Sequence, residues 1–209
     1  MEINEIYLDS ELAELIGAFI GDGFIGRYGG SYHVEFVGNI KLDRDYLMYL
    51  SNIITSHFNV KPRTVIHAGA IRLIITYKEL HTFFKNIGFT DGIKNKSVSI
   101  PENLLNSDLI KHLVRGLFDT DGYLFIDRRK IYKTPYVRIG LSTKSQLLFQ
   151  QMKSLLIENG YKLYTRVDRR YNIYNLEIYG NIQVTRWIKE YGFSNKNKKN
   201  LASVAQLVS

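Results

Sequence analysis

The sequence predicts an α+β protein of two pseudo-twofold-related αββαββα halves, each with a four-stranded antiparallel sheet, packed through one helix from each half. Three observations predict it. An apolar helical stretch ending in Asp-Gly occurs twice, as LIGAFIGDG at residues 15–23 and as LVRGLFDTDG at residues 113–122. The landmark IGF at 87–89 and its echo YGF at 191–193 end 67 and 72 residues after Asp22 and Asp121, and a Lys/Asn cluster follows each. Between these points, stretches of alternating polarity and of helical spacing recur in the same order, the mark of an internal duplication. The expected units are residues 1–106, including a connecting loop, and 107–209, forming one pseudo-symmetric body.

In the first copy Asp9 or Ser10 is the expected N-cap of the motif helix. Ala13, Gly17 and Gly21 recur every fourth residue beside Leu12, Leu15, Ile16 and Phe19, so the backbone of a facing helix can approach closely. Residues 24–28 and 31–39 read as strands joined at Gly29-Gly30. Val34 and Phe36 fall on one face of the second strand, and His33, Glu35 and Asn39 on the other. Residues 43–58 are helical, with Leu47, Leu50, Ile54 and Phe58 inward. Strands at 60–67 and 70–77 follow; Lys61, Arg63 and His67 share a face and Arg72 lies on the returning strand. A helix at 78–87 closes the half, and 90–106, containing Pro101, is the connection.

The second copy repeats the order. Ser107 is the expected cap, and Leu109, Leu113, Gly116, Leu117 and Thr120 form one buried stripe. Strands at 123–130 and 136–142, a helix at 144–159, strands at 161–168 and 172–179 and a helix at 182–191 follow, with a short helix over LASVAQLV. Strands with one apolar and one polar face require sheets covered by helices on one side only. The uncovered faces then carry Arg, Lys, Tyr and Asn.

Composition narrows the function. With 45% hydrophobic residues over 209 the chain can bury a sizeable core, and without cysteine it has neither disulfides nor a Cys-based zinc site. Lys and Arg outnumber Asp and Glu by 28 to 20, a net charge of +8 alongside fifteen tyrosines, which suits a polyanionic partner. No apolar run approaches the roughly 18 residues of a membrane span, and the opening MEINEIYLDS is too polar for a secretory signal. The expected setting is intracellular, away from any membrane. Packed side by side, the two motif helices bring Asp22 and Asp121 together at C-terminal ends that already carry partial negative charge. At roughly 4 Å and an effective dielectric near 20 two carboxylates repel by about 4 kcal/mol. A hard divalent cation reverses the sign.

At these residues the chain resembles the LAGLIDADG homing endonucleases in their single-chain, double-motif form. VRGLFDTDG matches the name-giving motif at Gly116, Leu117, Asp119, Asp121 and Gly122. The first copy matches at Leu15, Gly17, Asp22 and Gly23, with Ile20 where the first Asp of the motif would sit. The resemblance covers roughly residues 8–201. It implies a site-specific endonuclease for double-stranded DNA, intron-encoded and monomeric, that hydrolyses phosphodiester bonds at a long asymmetric target with Mg²⁺ or another divalent cation such as Mn²⁺. Asp22 and Asp121, with a terminal carbonyl such as that of Gly21 or Thr120, would hold the metal. Asp119 is expected to be structural, because two residues along a helix turn about 200° away.

The resemblance also implies lysines and polar groups around the metal. Repeat alignment puts Lys94 and Lys198 in the catalytic roles, with Lys96 and Lys196 as alternatives and Asn39, Lys41, Ser142 and Lys144 as further candidates. A two-stranded ribbon fits the major groove, where side chains can separate all four base pairs. The expected DNA readers are His33, Glu35, Asn39, Lys61, Arg63 and Arg72 in the first half. In the second they are Arg129, Tyr136, Arg138, Lys162, Tyr164, Arg166, Asn175 and Glu177. Arg128, Lys130, Lys133, Arg169 and Arg170, in or near turns, suit phosphates. Two rival functions fit the same fold, an RNA-binding intron maturase and a non-catalytic DNA-binding regulator; both acidic positions being intact favours the endonuclease. Nothing resembles an intein splicing module, so a free-standing enzyme is expected.

Overall fold

A computed structural model describes residues 7–92, 97–129 and 135–207, with side chains to residue 204. The first half contains α1 (Ser10–Asp22), β1 (Gly23–Tyr28), β2 (Ser31–Asn39), α2 (Arg44–Phe58), β3 (Arg63–His67), β4 (Ala70–Ile75) and α3 (Lys78–Ile87). After α4 (Glu102–Leu105) come α5 (Ile110–Thr120), β5 (Gly122–Asp127), β6 (Tyr136–Thr143), α6 (Gln146–Glu158), β7 (Leu163–Asp168), β8 (Ile173–Tyr179), α7 (Asn181–Glu190) and α8 (Lys196–Leu207).

The Asp9 carboxylate starts α1 by accepting from the Leu12 amide at 2.9 Å. Every residue from Leu12 to Ile20 is then buried, so α1 is a core helix on all sides. Its partner is α5, and the crossing is reciprocal. A Cβ on Gly17 would lie 1.9 Å from the Leu113 carbonyl oxygen, and one on Gly116 would lie 2.0 Å from the Glu14 carbonyl oxygen. Gly17 and Gly116, like Glu14 and Leu113, are 99 positions apart, the offset between Asp22 and Asp121 (121 − 22). The pseudo-twofold axis therefore runs between two glycines, where backbone meets backbone.

Each half then builds a four-stranded antiparallel sheet, ordered β1-β2-β4-β3 and β5-β6-β8-β7. The inner faces carry Val34, Phe36, Ile71 and Leu73 in one sheet and Val137, Ile139, Leu141, Leu176 and Ile178 in the other, all buried. Phe19 of α1 stacks on Phe84 with ring centroids 4.0 Å apart, and its pseudo-equivalent Phe118 lies 4.4 Å from Trp187. The same position thus anchors both cores.

Several boundaries differ from the sequence expectation. Ser107 does not cap α5: its hydroxyl donates to the Leu104 carbonyl at 2.9 Å, finishing α4, a turn of helix within the expected connection, and no side chain caps α5 at Leu109. Lys61 and Lys162 precede β3 and β7 rather than lying within them. The last helix begins five residues before LASVAQLV, because the Asn195 side-chain oxygen accepts from the amides of Asn197 at 3.0 Å and Lys198 at 3.4 Å. Among the described residues no helix is long and apolar enough to cross a membrane.

Candidate functional site

The two motif helices end against each other. A Cβ on Gly21 would lie 2.1 Å from the Thr120 hydroxyl oxygen and 3.3 Å from the Asp121 carboxyl carbon. Asp22 follows directly and is half-buried, while Asp121 is exposed. The Thr120 hydroxyl turns back into its own helix, donating to Leu117 O at 2.9 Å. Lys198 closes this end from above: its ammonium donates to the carbonyls of Phe118 at 2.6 Å, Thr120 at 3.1 Å and Gly122 at 2.6 Å. Burial pushes the Lys198 pKa down, opposed by the negative charges of Asp119, Asp43, Asp22 and Asp121. A cation here complements the negative end of α5. The Thr120 carbonyl, an expected metal ligand, is shared with this lysine.

Asp119 is fully buried and accepts from the Ser194 amide at 2.6 Å. Burial pushes its pKa up to about 7, with Glu14 adding to the rise. Among the described residues no cluster of three or more His, Cys, Asp or Glu could hold a metal. The oxygen set at the helix ends, two carboxylates and the neighbouring carbonyls, nevertheless fits a hard cation of the Mg²⁺ or Mn²⁺ kind, which takes one or two carboxylates and completes its shell with water and phosphate.

The remaining lysine and polar candidates separate. Lys94, Lys96, Lys130 and Lys133 lie outside the described residues. Lys196 is spent on the surface, its ammonium 3.6 Å from Asp45 of α2. Lys144 is exposed near the start of α6 and Lys41 is exposed after β2. The Asn39 side-chain oxygen serves its own turn, accepting from the Lys41 amide at 2.9 Å. Ser142 donates to Asn175 at 2.7 Å.

Strand register decides which expected readers share a face. In the first sheet the pairs Glu35↔Ile74, Val37↔Arg72 and Arg63↔Ile74 put Glu35, Arg72 and Arg63 together on the uncovered side, with His33 two residues before Glu35. The Glu35 carboxylate lies 3.0 Å from His33 Nε2 and accepts from Arg72 at 3.1 Å. Lys61 is exposed beyond the strand end. In the second sheet Tyr136, Arg138, Tyr164, Arg166, Asn175 and Glu177 line one concave surface. Arg169 and Arg170 are exposed in the β7–β8 turn, Arg128 is exposed after β5, and Lys162 is exposed just before β7.

Arg129 is exposed. It lies past the end of β5 and folds back onto Asp127, with its Nη2 2.6 Å and its Nε 2.9 Å from the carboxylate. Asp127 is buried, and the hydrogen bonds from Arg129 hold its pKa below the usual carboxylate range. It also faces Arg138 at 3.7 Å, while Glu177 accepts from the Tyr123 hydroxyl at 2.7 Å and faces Arg138 at 3.6 Å. Asp127, Tyr123 and Asn195 escaped the sequence reading. The one available signal was an acidic residue directly before Arg128-Arg129.

Residues 108–192 match the family model of a LAGLIDADG-like domain. The whole chain has the corresponding fold. It is similar to the crystal structure of I-DmoI in complex with DNA and Mn, with a TM-score of 0.64 and 19% identity over 88% of this chain and 97% of that one. It is also similar to the homing endonuclease I-WcaI bound to its DNA recognition sequence, with a TM-score of 0.63 and 15% identity over 92% of this chain and 85% of that one. The I-LtrWI LAGLIDADG homing endonuclease bound to target DNA matches with a TM-score of 0.61 and 11% identity, over 95% and 91%. Among curated proteins, the replication factor C small subunit of Methanocaldococcus jannaschii is 27% identical over 200 residues, which are 93% of this chain and 10% of that protein. The chain spans about a tenth of the length of that relative. Helices α1 and α5, which carry the two sequence motifs, run to Asp22 and to the residue before Asp121.

Proposed function

We propose that this chain is a site-specific endonuclease that hydrolyses phosphodiester bonds in both strands of a long, asymmetric double-stranded DNA target, acting as an intracellular, intron-encoded monomer. The observation that carries the reading is the meeting of two acid-tipped helices, placed by a glycine crossing, with a basic and aromatic sheet face in each half. The solved structures of I-DmoI, I-WcaI and I-LtrWI, all with DNA, support it by fold. The halves of the reader are residues 1–106 and 107–209. Their outward residues differ, His33, Glu35, Arg63 and Arg72 against Tyr136, Arg138, Tyr164, Arg166, Asn175 and Glu177, so the two half-sites differ in sequence.

In this reading Asp22 and Asp121, with the carbonyls of Gly21 and Thr120, hold the divalent cation, Mg²⁺ or Mn²⁺. When bound, the cation lowers the pKa of the attacking water and stabilises the departing 3′ oxygen. The chain itself orients the DNA. Sheet faces fix the register by base contacts, and Arg128, Arg169 and Arg170 hold phosphates. Lys198, held on the carbonyls at the end of α5, keeps a positive charge beside the scissile phosphate, and repeat alignment assigns Lys94 the same role in the first half.

The test is cleavage of a randomised double-stranded DNA library with Mg²⁺ and with chelator, followed by sequencing of the ends. Discrete staggered cuts within one long asymmetric site, lost with chelator, are expected. Asp22→Asn and Asp121→Asn should each abolish cutting while DNA affinity stays within about twofold, because each removes charge stabilisation made only in the transition state. Undiminished cleavage by both would sink the metal assignment. Binding without cuts by the unaltered chain would favour the maturase or regulator instead.

A further inference from the structure

We propose that Asn195 is a positioning residue that locks the first half to the cleavage centre by holding the Lys198 turn of α8 on the Asp43 loop; the inference rests on the nuclease reading above. Three successive residues at the start of α8 reach the first half. Asn195 donates to the Asp43 carboxylate at 3.0 Å, Lys196 pairs with Asp45 at 3.6 Å, and the Asn197 side chain donates to the Leu42 carbonyl. The next residue, Lys198, turns the other way onto the end of α5. One turn of helix therefore bridges the reading loop of one half and the motif helix of the other.

Asn195 is the pivot of that bridge. It is buried, and both ends of its amide are in use. The oxygen caps α8 through the Asn197 and Lys198 amides, and the nitrogen donates to Asp43 and, at 3.5 Å, to the Asp119 carbonyl. Asp43 uses its other oxygen to accept from the Asn39 amide at 2.8 Å, where β2 ends. The chemistry specifies an amide. Aspartate would cap the helix equally well but would set a second carboxylate against Asp43, and a buried charge without a partner is costly. A hydroxyl would cap but not reach both sides.

The functional consequence follows from distance. Lys198 lies three residues into the helix that Asn195 starts, so releasing the cap or the Asp43 contact moves its ammonium relative to Phe118 O, Thr120 O and Gly122 O. A misplacement of about 1 Å can cost about a hundredfold in rate. On the nuclease reading, DNA laid on the first sheet would meet the exposed Asn39 and Lys41 of the 39–43 turn, and the Asn195–Asp43 contact would link that turn to the cutting end.

The experiment is a charge swap. Asn195→Asp should slow single-turnover cleavage by about thirtyfold or more, with the DNA dissociation constant within about threefold, a loss in kcat rather than in binding. Asp43→Asn with Asn195→Asp restores the contact between the halves: the new amide donates to the new carboxylate, still accepts from the Asn39 amide, and leaves the helix cap in place, while only the long 3.5 Å contact to the Asp119 carbonyl loses its donor. Cleavage by the swap should return to within about threefold of the unaltered protein. If Asn195→Asp fails to fold, Asn195→Ser, which keeps a cap, should show the same slowing. Acetic anhydride labelling of Lys198, read by mass spectrometry without DNA, should rise about fivefold in Asn195→Asp and fall back in the swap, because an ammonium released from its carbonyls is more accessible. Unaltered cleavage in the single variants, a swap no better than the product of its parts, or unchanged Lys198 labelling would overturn the proposal. A protein with the expected labelling pattern that cuts no DNA would instead sink the nuclease reading.

Discussion

Replacing Gly17 with alanine is the most direct test of the helix crossing. The new Cβ would lie 1.9 Å from the Leu113 carbonyl oxygen, 2.8 Å from its carbon and 2.9 Å from the Leu117 nitrogen. All three are backbone atoms of a buried helix, so no rotamer change relieves the clash. A C···O contact settles near 3.3 Å, so α1 and α5 must separate locally by about 1.4 Å. Overpacking of this kind costs about 1–3 kcal/mol, and a clash with backbone belongs at the upper end. For a chain of this length each kcal/mol lowers Tm by about 2–4 °C, so Gly17→Ala should melt about 6–12 °C below the unaltered protein. Gly116→Ala, 2.0 Å from the Glu14 carbonyl oxygen, should match it. The double variant should lose less than the sum, because one separation serves both new methyls. Thermal unfolding by circular dichroism decides the matter; Tm values within about 2 °C of wild type for both single variants would refute the packing account.

Two further predictions concern charge. The His57 imidazole lies 2.9 Å from the Asp9 carboxylate that caps α1. Burial opposes charging of His57, but its hydrogen bonds to the Asp9 carboxylate and the Ile53 carbonyl and the charges of Asp9 and Glu11 outweigh it and raise its pKa above 6.5; burial likewise opposes the Asp9 charge, but the Leu12 amide and His57 outweigh it and lower the Asp9 pKa below 3.8. The His57 contribution is therefore complete below its unfolded pKa and lost as pH rises through the folded one, while the Asp9 contribution is lost as pH falls through its own. In denaturant unfolding, the stability deficit of His57→Gln should be larger at about pH 6 than at about pH 9, and a deficit independent of pH would contradict the pairing. Asp127→Asn should release Arg129 and Arg138 from their shared carboxylate, raising affinity for unrelated DNA severalfold and steepening its fall with salt while narrowing the preference for the target. Titrations of target and scrambled duplexes at two salt concentrations measure both, and unchanged discrimination would argue against Asp127 as their restraint.

What the sequence discloses here is set by the range over which each signal acts. The α1–α5 crossing is legible because small residues at helical spacing are a local pattern, and so is the alternation that puts Tyr136, Arg138, Asn175 and Glu177 on one face. Duplication made the sheet topology legible, since each half vouches for the other. Ser107 misleads because a serine before an apolar helix looks like a cap whether or not a turn of helix precedes it. The end of β5 is misjudged because alternation runs on to residue 130, whereas the strand stops at Asp127, which draws Arg129 back onto itself. Asn195 is hidden for a different reason: its partner Asp43 is 152 residues away, and nothing in its own neighbourhood distinguishes it from the other asparagines of a Lys/Asn cluster.

The charge arrangement at the motif helices explains why the duplication is not symmetric. Position 119 is aspartate where its pseudo-equivalent, position 20, is isoleucine, and both are buried. The aspartate has a task only in the second half, where the Ser194 amide needs an acceptor and Lys198 sits close by. Only one of the Asp119 oxygens is satisfied in this way, Oδ1 having no hydrogen-bond partner among the described residues, in keeping with the upward pull of burial on its pKa. The same reasoning limits what Lys198 can do for the acids. Its single charge is engaged by three carbonyls at the end of α5, whereas Asp22, Asp121 and two helix C-termini gather more negative potential than one ammonium offsets. Two carboxylates at about 4 Å and an effective dielectric near 20 repel by about 4 kcal/mol, and an approaching phosphate adds to that. On the nuclease reading a divalent cation would supply, at this end, the positive charge that Lys198 leaves wanting in the step that cuts.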